Sequence, residues 1–285
     1  MNTLYPYEAH FELGVVALNV ADLNKQKLFY EQVLGLTVLE DSSDKVVLGV
    51  ADRPLVELIQ VSDLTPISAS YGLYHLAILL PDRTSLGTLF RHFLKHQVPL
   101  IGASNHGYSE AIYLEDTEGN GIEVYRDRAF EKWDVREDGQ ILGVTEEMDA
   151  QAVYDAGTDT AGPYRIPVGT TMGHVHLSVR HSQESSSAYQ TVLGMTAKFA
   201  MPTGAWLSSG RYHHHLAVNE WAGQKLSDRK PGQLGLVYFT LKVSNPMVYK
   251  GILKQAEDQG WQIELGLGQA ELTDSNGIVT RVRLD

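Results

Sequence analysis

This 285-residue chain has eleven histidines and no cysteine, so any metal it holds must be held by imidazole and carboxylate. Two of the histidines, His75 in GLYHLAIL and His176 in GHVHLSV, lie in short apolar runs that each open with glycine. One histidine in an apolar strand is ordinarily a hydrogen-bonded core residue, whereas two at one position of a repeat read as a ligand pair. Glu123 follows a Gly-Asn-Gly turn in YLEDTEGNGIEVYRD. Facing water, it is an edge carboxylate; facing inward, it needs the compensation that a divalent cation gives. Two neutral imidazoles and one carboxylate form a facial triad with open positions, which suits Fe(II) or Mn(II) and leaves Zn(II) or Ni(II) open. His174, two residues before His176, could share its sheet face and is the rival ligand from that strand.

Other histidines are weaker candidates. In Tyr212-His213-His214-His215 a strand would turn His213 and His215 one way and His214 the other, so only a subset can serve one site. His92 and His96 have the helical spacing of a metal pair but no acidic partner on that face, and are read as surface residues.

The elements that must carry these side chains repeat. GVVALNV, GLYHLAIL, GHVHLSV and GLVYFTLKV each read as a strand, and overlaying them puts Ala17, His75, His176 and Tyr238 at one position. A helical stretch follows each strand. The first is capped by Asp22, with Leu28, Phe29 and Val33 on one side; the fourth opens at Asn245-Pro246. About three short strands follow each helix. The fold class is therefore α+β, built of four βαβββ modules. Modules 1 and 2 occupy 8–127 and modules 3 and 4 occupy 170–285. The Asp-, Glu-, Gly- and Pro-rich segment 128–169 is a connector, with a short helix near Ala150–Tyr154. One module has a half-covered sheet, so modules must pair into open barrels. Module 4, with Tyr238 in place of histidine and Val279 or its neighbours in place of Glu123, carries no site.

Composition narrows the function. With 43% hydrophobic and 20% charged residues the chain is globular. A net charge of −12 without a basic block disfavours nucleic acid. No apolar run spans a membrane, and MNTLYPYEAHFE reads as no signal peptide, so the expected location is cytoplasmic. A homo-oligomer stays open.

GLYHLAILLPDR, SEAIYLEDTEGNGIEVYRDR, GHVHLSV and YHHHLAVNEWAG together resemble the catechol-2,3-dioxygenase branch of the vicinal oxygen chelate superfamily, which includes glyoxalases, bleomycin-resistance proteins and extradiol dioxygenases. The resemblance implies Fe(II) on His75, His176 and Glu123, and an aromatic diol and O2 as substrates. It further implies His214 as acid–base catalyst and Tyr113, ten positions before the ligand glutamate, as a hydrogen-bonding partner of the substrate. His106 and His174 are expected to face the substrate. The relatives with four modules draw all three ligands from modules 3 and 4. Here they come from modules 2 and 3, which requires modules 2 and 3 to form the metal barrel and modules 1 and 4 the other. A lyase, isomerase or thiol transferase on the same fold, or a metal-free binding protein, is the competing reading.

Overall fold

The computed structural model describes residues 5–62 and 64–285; the first four residues of the stretch searched above for a leader lie outside them. Module 1 comprises β1 (Glu12–Val20), α1 (Leu23–Gln32), β2 (Thr37–Asp41), β3 (Lys45–Val50) and β4 (Arg53–Gln60). Module 2 comprises β5 (Gly72–Leu80), α2 (Arg83–Lys95), β6 (Gly102–Asn105), β7 (Ser109–Glu115) and β8 (Gly121–Asp127). The segment between the module pairs holds β9 (Asp134–Val135), β10 (Ile141–Leu142), β11 (Glu146–Glu147) and α3 (Ala150–Ala156). Module 3 is β12 (Thr171–Ser178), α4 (Ser182–Leu193), β13 (Thr196–Met201), β14 (Gly204–Ser208) and β15 (Leu216–Asn219). Module 4 is β16 (Gly235–Val243), α5 (Pro246–Asp258), β17 (Gln262–Gly266), β18 (Gln269–Thr273) and β19 (Val279–Leu284).

Module pairing follows the order the ligands demand. One sheet runs β17-β18-β19-β16-β1-β4-β3-β2, joining modules 4 and 1. The other runs β11-β6-β7-β8-β5-β12-β15-β14-β13, joining modules 2 and 3. Each seam is an antiparallel pairing of two first strands, β1 with β16 and β5 with β12. Within every module the first strand lies parallel to the last.

Side-chain chemistry explains the helix ends. Asp22, Asp82 and Asn245 accept from backbone N–H groups of Lys25, Ser85 and Met247, and Pro246 takes the first helical position. Helix α1 departs from expectation: it buries Leu23, Gln26 and Tyr30 and leaves Leu28 50% exposed. The reason is Tyr30, whose hydroxyl reaches Asp116 in the β7–β8 turn of the next module.

The connecting segment closes the second sheet. Its β11 pairs with β6 at one edge, and β10 packs against β13 at the other. Leu142 and Glu146 are joined by so few residues that the two edges lie within roughly 15 Å of one another, so this sheet curls into a half-barrel. Helix α3 docks on α2 where Gly87 meets Gly157; a Cβ on Gly87 would stand 2.2 Å from the Val153 carbonyl. Among the described residues no helix is long and apolar enough to cross a membrane.

Candidate metal centre

Strand register decides which side chains meet on the concave face of the second sheet. Ala77 on β5 lies opposite Glu123 on β8 and opposite His174 on β12. Its methyl group leaves the space over which the carboxylate and the imidazole approach. His174 Nε2 stands 3.1 Å from Glu123 Oε2, and His75 Nε2, two residues before Ala77, stands 3.0 Å from the same oxygen. The two imidazole Nε2 atoms are 3.3 Å apart. All three ligand atoms lie within 4.8 Å of one another on buried residues.

Electrostatics suit a cation. Burial pushes Glu123 up, but the hydrogen bonds and charge of His174 and His75 outweigh it and hold the carboxyl well below its ordinary range. Burial lowers His174 to about 4 against the pull of Glu123, so its imidazole is neutral at neutral pH. A buried carboxylate flanked by two imidazoles is a donor set that a divalent ion completes. His75, Glu123 and His174 could therefore hold a divalent metal.

His176 does not join this group. It lies directly opposite His75 in the ladder, displaced along β12 from the row that contains Glu123. Asn219 Oδ1 accepts from the Trp221 N–H, so its Nδ2 is the donor to His176 Nε2, 3.0 Å away. That lone pair is engaged by the amide. Burial, then His75 and His174, keep His176 well below its ordinary pKa. Of the expected residues the fold brings His75 and Glu123 together with His174, the rival from the same strand, and leaves His176 outside the group.

The helix caps explain the shift. Asp22, Asp82, His181 and Asn245 are the caps of the four repeat helices, and the seventh residue before each is Val15, His75, His174 and Tyr238. Structural equivalence therefore runs through His174, not His176. The equivalent final-strand positions are Glu57, Glu123, Ala217 and Arg281. In the first sheet Tyr238 donates to Glu57 at 3.0 Å, and Arg281 stacks 3.4 Å above the Tyr238 ring. A guanidinium and a phenol stand where the second sheet has Ala217 and His174, so the residue near Val279 that matches Glu123 in module 4 is Arg281.

The remaining expected residues surround the triad. Tyr113 lies opposite Glu123 on β7. His106 Nδ1 is 2.8 Å from the Val144 carbonyl and must donate to it, which leaves Nε2 to accept from the Tyr113 hydroxyl at 2.7 Å. Burial, then the charge of Glu123, raises Tyr113 well above its ordinary pKa. The His214 ring is 4.1 Å from that of His174. Burial, with the neighbouring histidines adding to it, lowers His214 well below its ordinary range.

Two residues were not anticipated. His213 Nε2 is 2.9 Å from Asp127 Oδ1, and His213 Nδ1 is 2.7 Å from His214 Nδ1. The carboxylate accepts, so His213 carries its proton on Nε2 and its Nδ1 accepts from His214 Nδ1. His214 Nε2 is left bare. The adjacency of His213 and His214 was visible in the sequence; the carboxylate that orders them was not. Tyr7, Tyr108, Phe130, Trp133, Ile141 and Tyr212 pack as one cluster beside this pair. Gly173 makes room for Tyr125, whose hydroxyl meets that of Tyr212 at 2.7 Å; a Cβ at Gly173 would fall 1.9 Å from the Tyr125 oxygen.

Comparisons with known proteins agree with this architecture. A catechol-2,3-dioxygenase of Bacillus subtilis (strain 168) is 30% identical over 257 residues, covering 88% of this chain and 90% of that one. The solved structure of a putative dioxygenase from Bacillus subtilis matches with TM-score 0.65 at 10% identity, covering 97% of this chain and 86% of that one. Glyoxalase I from Zea mays matches with TM-score 0.59 at 15% identity, over 96% and 92% of the two chains. Both structural likenesses speak to the fold. Residues 12–124 match the family described as Glyoxalase/Bleomycin resistance protein/Dioxygenase superfamily, and with the relative covered over nearly its whole length, the chain belongs to that superfamily.

Proposed function

We propose that this chain is a metal-dependent extradiol dioxygenase that opens the ring of a catechol-type diol with O2. One observation carries the reading: His75, His174 and Glu123 direct three ligand atoms at one point, with a bare imidazole nitrogen of His214 beside them. The relative named catechol-2,3-dioxygenase supports the substrate class. The group contains one carboxylate among the described residues, whereas glyoxalase-like proton transfer generally uses a second, which favours the dioxygenase over the lyase.

His75, His174 and Glu123 would hold the metal, and Fe(II) is the ion we favour. When bound, it would supply Lewis acidity toward a vicinal diol and the redox chemistry that dioxygen requires. His214 Nε2 takes the diol proton. Its Nδ1 proton is held by His213, and His213 is held in turn by Asp127. Tyr113, its hydroxyl proton held by His106 Nε2, turns its oxygen to the substrate and accepts from a substrate hydroxyl. The aromatic cluster of Tyr108, Trp133 and Tyr212 packs against His213 and shields it from water.

The test is oxygen uptake by anaerobically Fe(II)-reconstituted protein with a panel of catechols, beside a His75→Ala control. Uptake with a yellow product, absent in the control, is the expected result. Absence of uptake from protein shown to hold Fe(II), across the whole panel, would overturn the reading.

A further inference from the structure

His176 has a proton to give and no protein atom to take it. Asn219 occupies its Nε2 lone pair, so the neutral ring carries its hydrogen on Nδ1. Nδ1 meets no acceptor among the described residues, yet it is not sealed from water as an orphaned buried atom would be. The residue itself is only 4% exposed. An unpaired N–H on a fixed, nearly buried ring, still open at one point, is a donor set in advance for a ligand.

The two halves of the second sheet explain how this donor arises. Counted from the helix caps, His176 of module 3 corresponds to Ala77 of module 2, and Ala217 corresponds to Glu123. Module 2 pairs a small residue with a carboxylate, Ala77 with Glu123. Module 3 pairs an imidazole with a small residue, His176 with Ala217. A carboxylate at position 217 would be a ready acceptor for the His176 proton. The methyl group that stands there leaves it free.

Its place beside the triad gives the proton a target. The two nitrogens of an imidazole face nearly opposite ways. With Nε2 turned to Asn219 on β15, Nδ1 faces back toward β5, where the His75 ring lies 4.9 Å away. Tyr113, on β7, stands on the other side of His75 with its ring at 5.8 Å. Its hydroxyl proton goes to His106, so toward a ligand it accepts. A diol held at the triad therefore has an acceptor on one flank and a donor on the other. The hydroxyl that keeps its proton suits Tyr113, and the oxygen that has lost its proton suits His176.

We propose that His176 donates from Nδ1 to the ionised oxygen of the bound diol, and so draws the more acidic hydroxyl of an unsymmetrical diol to its own side. The assignment rests on the ring-cleavage reading for the class of ligand and on His176 for its orientation.

The experiment binds 4-nitrocatechol, whose two hydroxyl groups differ in acidity, to anaerobic Fe(II)-loaded wild type, His176→Phe and His176→Gln. Phenylalanine keeps a ring against Tyr74 and Trp221 but has no donor; glutamine keeps a donor. Metal content and melting temperature are checked for each variant, and affinity and the absorption band of the bound ligand are read before air is admitted. His176→Phe should bind the probe about tenfold or more weakly. Its band should move to longer wavelength, because the phenolate oxygen loses a hydrogen bond. His176→Gln should recover most of the affinity. Unchanged affinity and band in folded, metal-loaded His176→Phe overturn the proposal. Loss of metal from folded His176→Phe overturns it as well, by making His176 a ligand. If the wild type binds the probe but opens no diol ring in air, the ring-cleavage reading fails, and the binding comparison still decides His176. A wild type that binds no diol removes both.

Discussion

The Tyr30 hydroxyl on α1 donates to Asp116 Oδ2 at 3.2 Å, and the Tyr189 hydroxyl on α4 donates to Asp274 Oδ2 at 3.1 Å. Each bond runs from the helix of one module to the last turn of the next, and so from one sheet to the other. The backbone follows suit. Glu118 accepts from the Ala21 and Asp22 N–H groups, and Asn276 Oδ1 accepts from the Arg180 N–H. The two sheets are thus clasped twice by equivalent residues. Tyr30→Phe and Tyr189→Phe should each cost about 1–2 kcal/mol, read from denaturant midpoints at constant slope. A loss in one variant but not the other would show that the clasps are unequal.

The ligand assignment separates two neighbouring histidines. His174→Ala should weaken divalent-metal binding by more than about 100-fold, whereas His176→Ala should change it by less than about tenfold. Titration with Mn(II) followed by paramagnetic resonance reads both. The reverse order would restore His176 as the ligand.

Ala77 is predicted to matter for its smallness. Ala77→Val places branched carbon between His174 and Glu123, at an overpacking cost of about 1–3 kcal/mol. Metal affinity should fall more steeply than the melting temperature. Full metal loading in this variant would mean that the ligands do not close over position 77.

Asp127 acts through His213. In Asp127→Asn the amide can donate to His213 Nε2, which reverses the proton order and leaves His214 Nε2 protonated. Turnover should drop by about 10²-fold or more while metal content is retained. Equal turnover in variant and wild type would remove His214 from the proton transfer.

Acid stability should depend on Glu110. Burial raises this carboxyl, but hydrogen bonds and charge from Arg83 and Arg126 outweigh it and hold its pKa below the ordinary value. Folding therefore favours the ionised form. That stabilisation is complete above the unfolded-state value of about 4.3 and disappears as pH falls through the lower folded-state value. Glu110→Gln, which takes the carboxylate from the partly exposed guanidinium groups of Arg83 and Arg126, should cost about 1–2 kcal/mol at neutral pH and flatten the acid limb of a stability profile. An acid limb with the same slope in both proteins would assign it to other carboxylates.

The repeat was legible because glycine, an apolar run and a capped helix recur with little variation, and module pairing followed from the need for His75 and Glu123 of module 2 to meet a histidine of module 3. The ligand from β12 was not. Aligning the strands on their leading glycines moved module 3 by two residues, whereas aligning on the helix caps brings His174 beside His75. The cap of α4 is His181, which makes no side-chain capping bond, so the marker was weakest where it was needed. Ala77 shows no sign in one dimension of being the floor beneath two ligands. Asp127 read as the end of a strand, and its meeting with His213 depends on strands far apart in the chain.

The seams have a bearing on synthesis. Strand β1 finds its antiparallel partner only in β16, as Val16 opposite Phe239, while β5 and β12 join inside that interval. During translation the inner half-barrel can assemble while module 1 waits with an open edge for the last module to emerge. An edge of that kind invites pairing with other chains. Fragments ending before β16 should therefore aggregate through module 1 even where their metal ligands are all present.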